Sequence, residues 1–213
     1  MPIIDTRDNF NGVALADMNG RVPDTISSGA WSHNNGSGSI GPLGDGRIGN
    51  YSPAGGNLDH YIVGAPRSPN YSVIAEGCFA DGEGTFLGLV ARYTASNQHY
   101  RLISSIGINA AGNPCEWQFG KSASGFTVFN QGALGSAGFL LTAFKLRLTV
   151  AGSKISAYFN DILLHSVTDT THTGIGKPGI VGLPASAGTA RTPRWDISAF
   201  SVEDFINPIR SVV

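Results

Sequence analysis

The chain has 213 residues, of which 14% are charged, and its formal net charge at pH 7 is −1. This balance argues against nucleic-acid binding, which normally goes with a basic excess, and no apolar run is long enough to span a bilayer. Glycine is frequent, with 29 residues, and the low share of charged residues favours β-structure with many turns over helices laced with ion pairs.

A chain of this length without a long linker is expected to form one all-β domain. No secretory signal is expected, because Asp5 follows Met1-Pro2-Ile3-Ile4 directly and no apolar segment comes after it. We expect residues 1–7 to form an N-terminal arm, residues 8–205 a single β-sandwich domain, and residues 206–213 a C-terminal tail.

Alternation of apolar and polar residues predicts β-strands along most of the chain. Residues 34–57 are glycine-rich, with brief strand-like islands at Ile40 and Ile48, and are expected to form a long connection across one edge of the sandwich. Short strands separated by turn signals then indicate a sandwich or a barrel. The predicted strands are residues 71–79, 85–94, 99–107, 115–120, 126–132, 144–150, 179–183 and 194–205.

The clearest alternation begins at Phe144 and continues through a three-stranded meander, with turns at residues 151–153 and at Asn160-Asp161. The meander runs into the segment Thr168-Asp169-Thr170-Thr171. Asp169 is expected to accept hydrogen bonds from nearby backbone N–H groups, which explains the loop without any ligand. The alternative is that this loop is a rim that contacts a partner.

Eight short segments follow one another in a distinctive order. They are DNFN at 8–11, PDT at 23–25, AWS at 30–32, GLVARY at 88–93, LRLTVAGSKISAYFND at 146–161, SVTDTT at 166–171, GKPGI at 176–180 and RWDISAFSV at 194–202. Together they resemble the concanavalin A-like lectin and glucanase superfamily, the laminin-G-like jelly rolls. The sequence is most similar to the single jelly-roll modules of bacterial surface proteins and of bacteriophage virion proteins.

The resemblance implies an all-β fold, a two-sheet antiparallel jelly-roll sandwich with one concave face, in which the first and last strands lie side by side. The chain departs from the pattern at Asp161, where relatives usually have glycine, and this difference bears only on the shape of one turn. Glycosidases of the superfamily carry Glu-x-Asp-x-Glu on one strand, which places three carboxylates on one face. This sequence lacks that motif, so we expect no enzyme activity. Glu76 and Glu116 remain as a less favoured catalytic pair.

No metal or other cofactor is expected, because the histidines show no close metal-ligand spacing and no HExxH motif occurs. Asp81 and Glu83, in the segment DGEG, supply too few oxygens for an EF-hand-type calcium site. A hairpin turn is therefore the preferred interpretation of that segment, and a bound calcium ion is the alternative. Cys78 and Cys115 are interpreted as buried thiols, with a disulfide as the alternative.

A carbohydrate site on such a sandwich needs aromatic faces for sugar rings and planar groups for their hydroxyls. The candidates are Arg92, Tyr100, Glu116 and Gln118. Arg92 alternates with the apolar Ala91 and Tyr93, so it is expected to line the surface opposite the core. A solvated sheet face without a ligand is the competing interpretation.

The preferred function is a non-catalytic structural or adhesion protein of a bacteriophage virion, as a capsid decoration or tail-fibre protein with a lectin-like fold that binds surface glycans. The alternative is a free-standing carbohydrate-binding module at a bacterial surface or in the extracellular space, and a glycoside hydrolase is less favoured. Expected partners are other virion or surface subunits, with homo-oligomerisation left open and with no nucleic acid and no membrane insertion. Apolar residues near the two ends suggest assembly contacts: Ile3, Ile4, Ile209, Val212 and Val213.

Overall fold

The computed structural model describes residues 3–11, 17–25, 29–36, 40–50, 59–64, 66–79, 85–106, 115–135, 143–183 and 195–205. Within these ranges the chain forms two antiparallel β-sheets packed as a sandwich, and it contains no helix. No helix long and apolar enough to cross a membrane is therefore found in this part of the chain. The all-β prediction is confirmed.

One sheet, called sheet A, has eight strands. In spatial order it contains β13 (Ile162–Thr168), β12 (Lys154–Phe159), β11 (Phe144–Ala151), β6 (Tyr71–Phe79), β15 (Trp195–Asp204), β4 (Ile48–Asn50) and β3 (Ile40–Pro42), and β1 (Ile3–Asp8) also pairs with β15. The other sheet, sheet B, has seven strands. In spatial order it contains β10 (Phe126–Gly135), β9 (Cys115–Ala123), β8 (Gln98–Ile106), β7 (Thr85–Ala95), β14 (Lys177–Leu183), β5 (Asp59–Ile62) and β2 (Ser32–Asn35).

The core lies between the sheets and follows the predicted alternation. On β11, every second residue from Phe144 to Val150 is buried, while Lys145 and Arg147 point away from the core. Large aromatic side chains fill the centre of the sandwich. Trp31, Tyr61, Phe119 and Phe200 are among the fully buried ones.

The first and last strands pair with each other, as the resemblance implied. Asp8 on β1 lies opposite Phe200 on β15, and Ile4 lies opposite Glu203. Residues 3–7, which the sequence suggested were a separate arm, therefore extend an edge of sheet A. The last strand, β15, ends at Asp204.

The glycine-rich connection carries more structure than its sequence suggested. Both islands are strands of sheet A, because Ile40 on β3 pairs opposite Asn50 on β4, and Ile48 on β4 pairs opposite Ile197 on β15. Ile40 and Ile48 are fully buried. Part of this connection therefore contributes to the core rather than crossing its edge.

A tight turn is present at Asn160-Asp161, where the sequence predicted one. Both residues have positive φ, 49° and 64°, as a two-residue hairpin turn of type I′ requires. The Asp161 carboxylate forms ion pairs with Lys145 and Arg147 on β11. These contacts give a physical reason for aspartate at a position where glycine is the usual choice.

Candidate carbohydrate-binding face

The four predicted sugar-binding residues fall into two separate groups. Arg92 and Tyr100 lie inside the protein near the loop that follows β13, whereas Glu116 and Gln118 lie on the outer face of sheet B. Whether any of them binds sugar stays a prediction, but the two groups do not form one site.

Arg92 does not line an open surface, and that expectation is wrong. Its guanidinium is buried and donates to three backbone carbonyls, those of His172 at 2.7 Å, Gly152 at 2.8 Å and Pro69 at 2.9 Å. The backbone of Arg92 has a φ of 52°, and the pairing of β7 with β8 shifts register between Ala91 and Ala95. This irregularity breaks the strict alternation on which the outward placement depended.

Tyr100 is also buried, and its hydroxyl donates to the Asp169 carboxylate at 2.7 Å. Asp169 also accepts a hydrogen bond from the Thr171 backbone N–H at 2.8 Å. Its carboxylate forms an ion pair with the Lys121 ammonium group at 2.5 Å. Burial raises the pKa of Tyr100 to about 12. The threonine loop is thus fixed by internal contacts, and the prediction that Asp169 accepts backbone hydrogen bonds is confirmed.

Two histidines that flank this loop are packed rather than simply solvated. His165 on β13 lies 3.1 Å from the Asn130 amide on β10, between their side-chain nitrogens. His172 contacts the Ser122 carbonyl through its ring at 2.8 Å. Both contacts join the loop and β13 to sheet B.

Glu116 and Gln118 lie on the outer face of β9, because the residues between and beside them, Trp117 and Phe119, belong to the core. Glu116 is exposed. The Gln118 side-chain amide donates a hydrogen bond to the side-chain amide oxygen of Gln131 on β10 at 3.1 Å. These two residues are opposite each other in the strand register. This pair presents planar amide groups to solvent, which suit sugar hydroxyls.

A stacked group lies beside the glutamine pair on the same face. Arg101 on β8 is opposite Gly120 on β9, and its guanidinium carbon lies 3.4 Å from the centroid of the Phe126 ring. A Cβ on Gly120 would come within 2.7 Å of that ring. Glycine at position 120 therefore leaves the space that Phe126 occupies beneath Arg101.

The charge of Arg101 has no oxygen partner among the described residues. Its Nε is buried without a hydrogen-bond acceptor, and burial lowers the pKa of the guanidinium to about 10, so it stays protonated at neutral pH. Other arginines do contact oxygens. Arg7 donates to Asn9, Arg21 to Asp8, Arg47 to Asp45, and Arg92 to carbonyls, while Arg147 pairs with Asp161.

The middle of the same sheet face is apolar and covered. A second hydrophobic cluster outside the main core contains Ile62, Val90, Tyr93, Ile103 and Val181, all of them buried. His99 lies at the edge of this cluster, stacked on Tyr93 and packed against His60. Burial, together with the nearby His60, lowers the pKa of His99 to about 3. The accessible part of the face is therefore the β8–β10 side.

We define the β8–β10 face as Arg101, Glu116, Gln118, Phe126 and Gln131. It contains an aromatic ring, a guanidinium, two amides and one carboxylate. Sequence reasoning identified Glu116 and Gln118 but missed the other three. The sequence pattern that could have identified Arg101 is its position between Tyr100 and Leu102, which face the core. In a regular strand the residue between two core residues points outward.

The two glutamates of the less favoured catalytic pair do not share a surface. Glu76 lies on the outer face of sheet A, and Glu116 lies on the outer face of sheet B. Glycosidases need both carboxyl groups within about 10 Å on either side of one glycosidic bond. Glu76 and Glu116 therefore cannot act together.

The outer face of sheet A has an open depression lined by Glu76, Phe144, Lys145, Asn160, Asp161 and Ser198, together with Ala143. The charges of Lys145 and Asp161 are paired with each other, and Arg147 also contacts Asp161. Lys145 and Arg147 on this surface therefore have a carboxylate partner, whereas Arg101 has none among the described residues.

Several predictions fall outside the described residues. They concern calcium at Asp81 and Glu83, the side chain of Cys115, and the terminal residues Ile209, Val212 and Val213. The side chains of Ile3 and Ile4 are also not described, although their backbones pair with β15. Among the described residues, no cluster of histidine, cysteine or acidic side chains is arranged to hold a metal ion.

No protein-family model and no curated protein matches this sequence. Solved structures do match its fold. The CBM2 module of the evolved Dit protein of Lactobacillus casei BL23 phage J-1 aligns with a TM-score of 0.57 and 11% identity, over 95% of each chain. A putative β-glucanase from Mycobacterium abscessus aligns with a TM-score of 0.60 and 11% identity, over 94% of this chain and 100% of that chain.

A third match is a GlcNAcα1-4Gal-releasing endo-β-galactosidase from Clostridium perfringens, with a TM-score of 0.56 and 9% identity. It covers 95% of this chain, which spans only 62% of the length of that enzyme. At such low identities these likenesses bear on fold alone. With the two antiparallel sheets described above, they show that the protein has the concanavalin A-like jelly-roll fold.

Proposed function

We propose that the protein is a non-catalytic adhesion subunit that binds glycans through the β8–β10 face. The observation that carries this proposal is the combination on one accessible surface of the Arg101–Phe126 stack with the Gln118–Gln131 amide pair. Aromatic rings pack against the apolar faces of sugar rings. Amides, guanidinium groups and carboxylates exchange hydrogen bonds with sugar hydroxyls.

The absence of a usable carboxylate pair on this face supports a binding role over hydrolysis. Glu116 is the only carboxylate of the β8–β10 face, and the described residues of β8 to β10 contain no other acidic side chain. A single carboxylate can bind a hydroxyl, but it cannot serve as both proton donor and nucleophile.

A glycan array tests the binding proposal. We expect the wild-type protein to bind at least one glycan class, and we expect Gln118→Ala and Phe126→Ala to reduce that binding about tenfold or more. The control is Tyr158→Ala on sheet A, an aromatic residue that also lies near an arginine, since the guanidinium carbon of Arg147 is 5.4 Å from the centroid of the Tyr158 ring. Equal loss in all three variants, or none in any, would count against the β8–β10 face.

We further infer that the protein is a component of a bacteriophage virion, either as capsid decoration or as a tail or fibre protein. The likeness over 95% of both chains to a module of a phage J-1 Dit protein supports this inference. The alternative is a carbohydrate-binding module at a bacterial surface. Mass spectrometry of purified phage particles distinguishes the two, because a virion component stays with the particles through density-gradient purification.

Assembly through the terminal residues is a separate part of this proposal. Ile3 and Ile4 belong to β1, so deleting them would also remove backbone pairing with Glu203 and Asp204. Deletion of residues 207–213 is therefore the cleaner test of Ile209, Val212 and Val213. The trimmed protein is expected to keep its melting temperature and to lose incorporation into particles. Normal incorporation would rule out contacts by the C-terminal residues.

A further inference from the structure

Arg101 is built into the β8–β10 face in a way that leaves its charge unmatched. Its strand neighbours are Val90 on β7 and Gly120 on β9, and neither can accept a side-chain hydrogen bond. The outward residues before and after it on β8 are His99 and Ile103. No carboxylate among the described residues lies within ion-pair distance of it.

The geometry limits which parts of the guanidinium are available. One face lies against the Phe126 ring, and Nε is buried without an acceptor. The side chain as a whole is half-buried, so it is still partly accessible to solvent. Because guanidinium donors lie in the plane of the group, the terminal N–H groups are the ones that can bind a ligand.

We propose that Arg101 binds the anionic group of an acidic glycan, either a sugar carboxylate or a sugar phosphate. This inference rests on the proposed glycan-binding function and names its ligand class. A planar guanidinium matches carboxylate and phosphate oxygens with paired, charge-assisted hydrogen bonds. A partly desolvated cation without a counter-ion gains more from such a partner than a solvated one does.

The arrangement of charges on the β8–β10 face also determines which end of the ligand lies near Arg101. Gln118 is two residues from Gly120 along β9, which corresponds to about 7 Å, and Glu116 is four residues away, or about 13 Å. The Glu116 carboxylate repels an anion but accepts hydrogen bonds from hydroxyls. The acidic group is therefore placed at the Arg101 end, and uncharged sugar hydroxyls are placed towards Gln131 and Glu116.

The test compares two matched pairs of ligands by biolayer interferometry with the full chain. One pair is an oligogalacturonate and its fully methyl-esterified form. The other is a phosphomannan and the same mannan after dephosphorylation. We expect wild-type protein to bind at least one acidic member about tenfold or more tightly than its neutral counterpart, with affinity falling as NaCl increases. The pair that shows the difference identifies carboxylate or phosphate as the source.

Arg101→Gln is expected to abolish the preference for the acidic ligand. Arg101→Lys keeps the charge but loses the planar guanidinium, so an intermediate preference for the acidic ligand is expected. If Arg101→Gln melts well below wild type, the lysine variant provides the test instead. The matched control is Arg147→Gln, which removes an arginine that already has the Asp161 carboxylate as partner. This control is expected to leave the preference unchanged.

The possible failures are distinct. If wild-type protein binds neutral glycans on the array but shows no preference in either matched pair, the acidic-glycan inference is wrong and the proposed function stands. The same conclusion follows if Arg101→Gln keeps the full preference. If no glycan of any kind binds, both are wrong.

Discussion

The ammonium group of Lys121, on β9, lies 2.5 Å from the carboxylate of Asp169, in the loop after β13. Both side chains are largely shielded, with relative exposures of 20% and 12%. The Lys121 ammonium also donates to the Thr171 hydroxyl at 2.6 Å. This pair fastens the threonine loop to sheet B, where Tyr100 donates to the same carboxylate.

The first prediction concerns acid stability at Asp169. Burial alone would raise the pKa of this carboxyl, but hydrogen bonds from Lys121, Tyr100 and Thr171 hold it below the usual range. The native state therefore favours the ionised form, so Asp169 contributes stability above an unfolded-state pKa of about 4, and this stability is lost as pH falls further. Asp169→Asn should cost about 2 kcal/mol at pH 7, as loss of hydrogen bonds to a charged group does.

Urea unfolding measured between about pH 7 and pH 3 checks this prediction. The difference between wild type and Asp169→Asn should shrink as pH falls below about 4, because the unfolded chain then binds a proton at this carboxyl more readily than the native state does. Asp45→Asn is the control, since Asp45 pairs with Arg47 on an exposed turn and contributes little. A difference that stays constant across this range would contradict the assignment.

The second prediction concerns the contribution of Arg92 to stability, where its guanidinium acts as a clasp by hydrogen bonding to several segments of the chain. Its guanidinium joins three separate segments, through the carbonyls of Pro69, Gly152 and His172. Lysine cannot reproduce the planar fork that reaches all three. Arg92→Lys should therefore lower the free energy of unfolding by about 2–4 kcal/mol, whereas Arg47→Lys on an exposed turn should change it little. Equal effects of the two substitutions would show that the clasp is unimportant for stability.

The third prediction uses two glycines with similar backbone angles. Gly176 has a φ of 52°, and a Cβ there would lie 2.4 Å from the Arg92 backbone. Gly152 has a φ of 58°, but a Cβ there would meet nothing within 4 Å. Gly152→Ala should cost about 1 kcal/mol from its positive φ alone, and Gly176→Ala should cost more than about 3 kcal/mol because the backbone must also move.

Thermal or urea unfolding of the two glycine variants separates the two causes. Because both substitutions add the same methyl group at nearly the same φ, the difference between them isolates the close approach of residue 176 to the Arg92 backbone. Similar losses in the two variants would mean that φ, rather than contact with Arg92, determines the requirement for glycine at position 176.

The long strands could be predicted from the sequence because their own alternation defines the buried side. Residues 71–79 were predicted as a strand and are β6 with the same bounds, and β11 shows its predicted alternation in full. β1 and β5 were missed because each is short and shows no alternation of apolar and polar residues. Their extended conformation depends on pairing with β15 and β14, which are distant in sequence.

The site was only half predictable, for a related reason. Gln118 obeys the alternation of a regular strand, so its outward position could be inferred. Arg92 does not, because the positive φ at its own backbone turns the side chain into the protein. The Arg101–Phe126 stack depends on the register of β8, β9 and β10, which no local pattern reveals.

The last prediction is that the protein does not hydrolyse glycans. Glu76 and Glu116 lie on different sheets, so the pair of carboxyl groups that glycosidases need is not assembled from them. Purified protein incubated with β-glucans, and with any glycan that it binds on the array, should release no reducing sugar above a heat-denatured sample. Glu116→Gln should alter binding at most, since Glu116 lies on the β8–β10 face. Reducing-sugar release that disappears in Glu76→Gln or in Glu116→Gln would overturn this prediction and identify the catalytic surface as sheet A or sheet B, respectively.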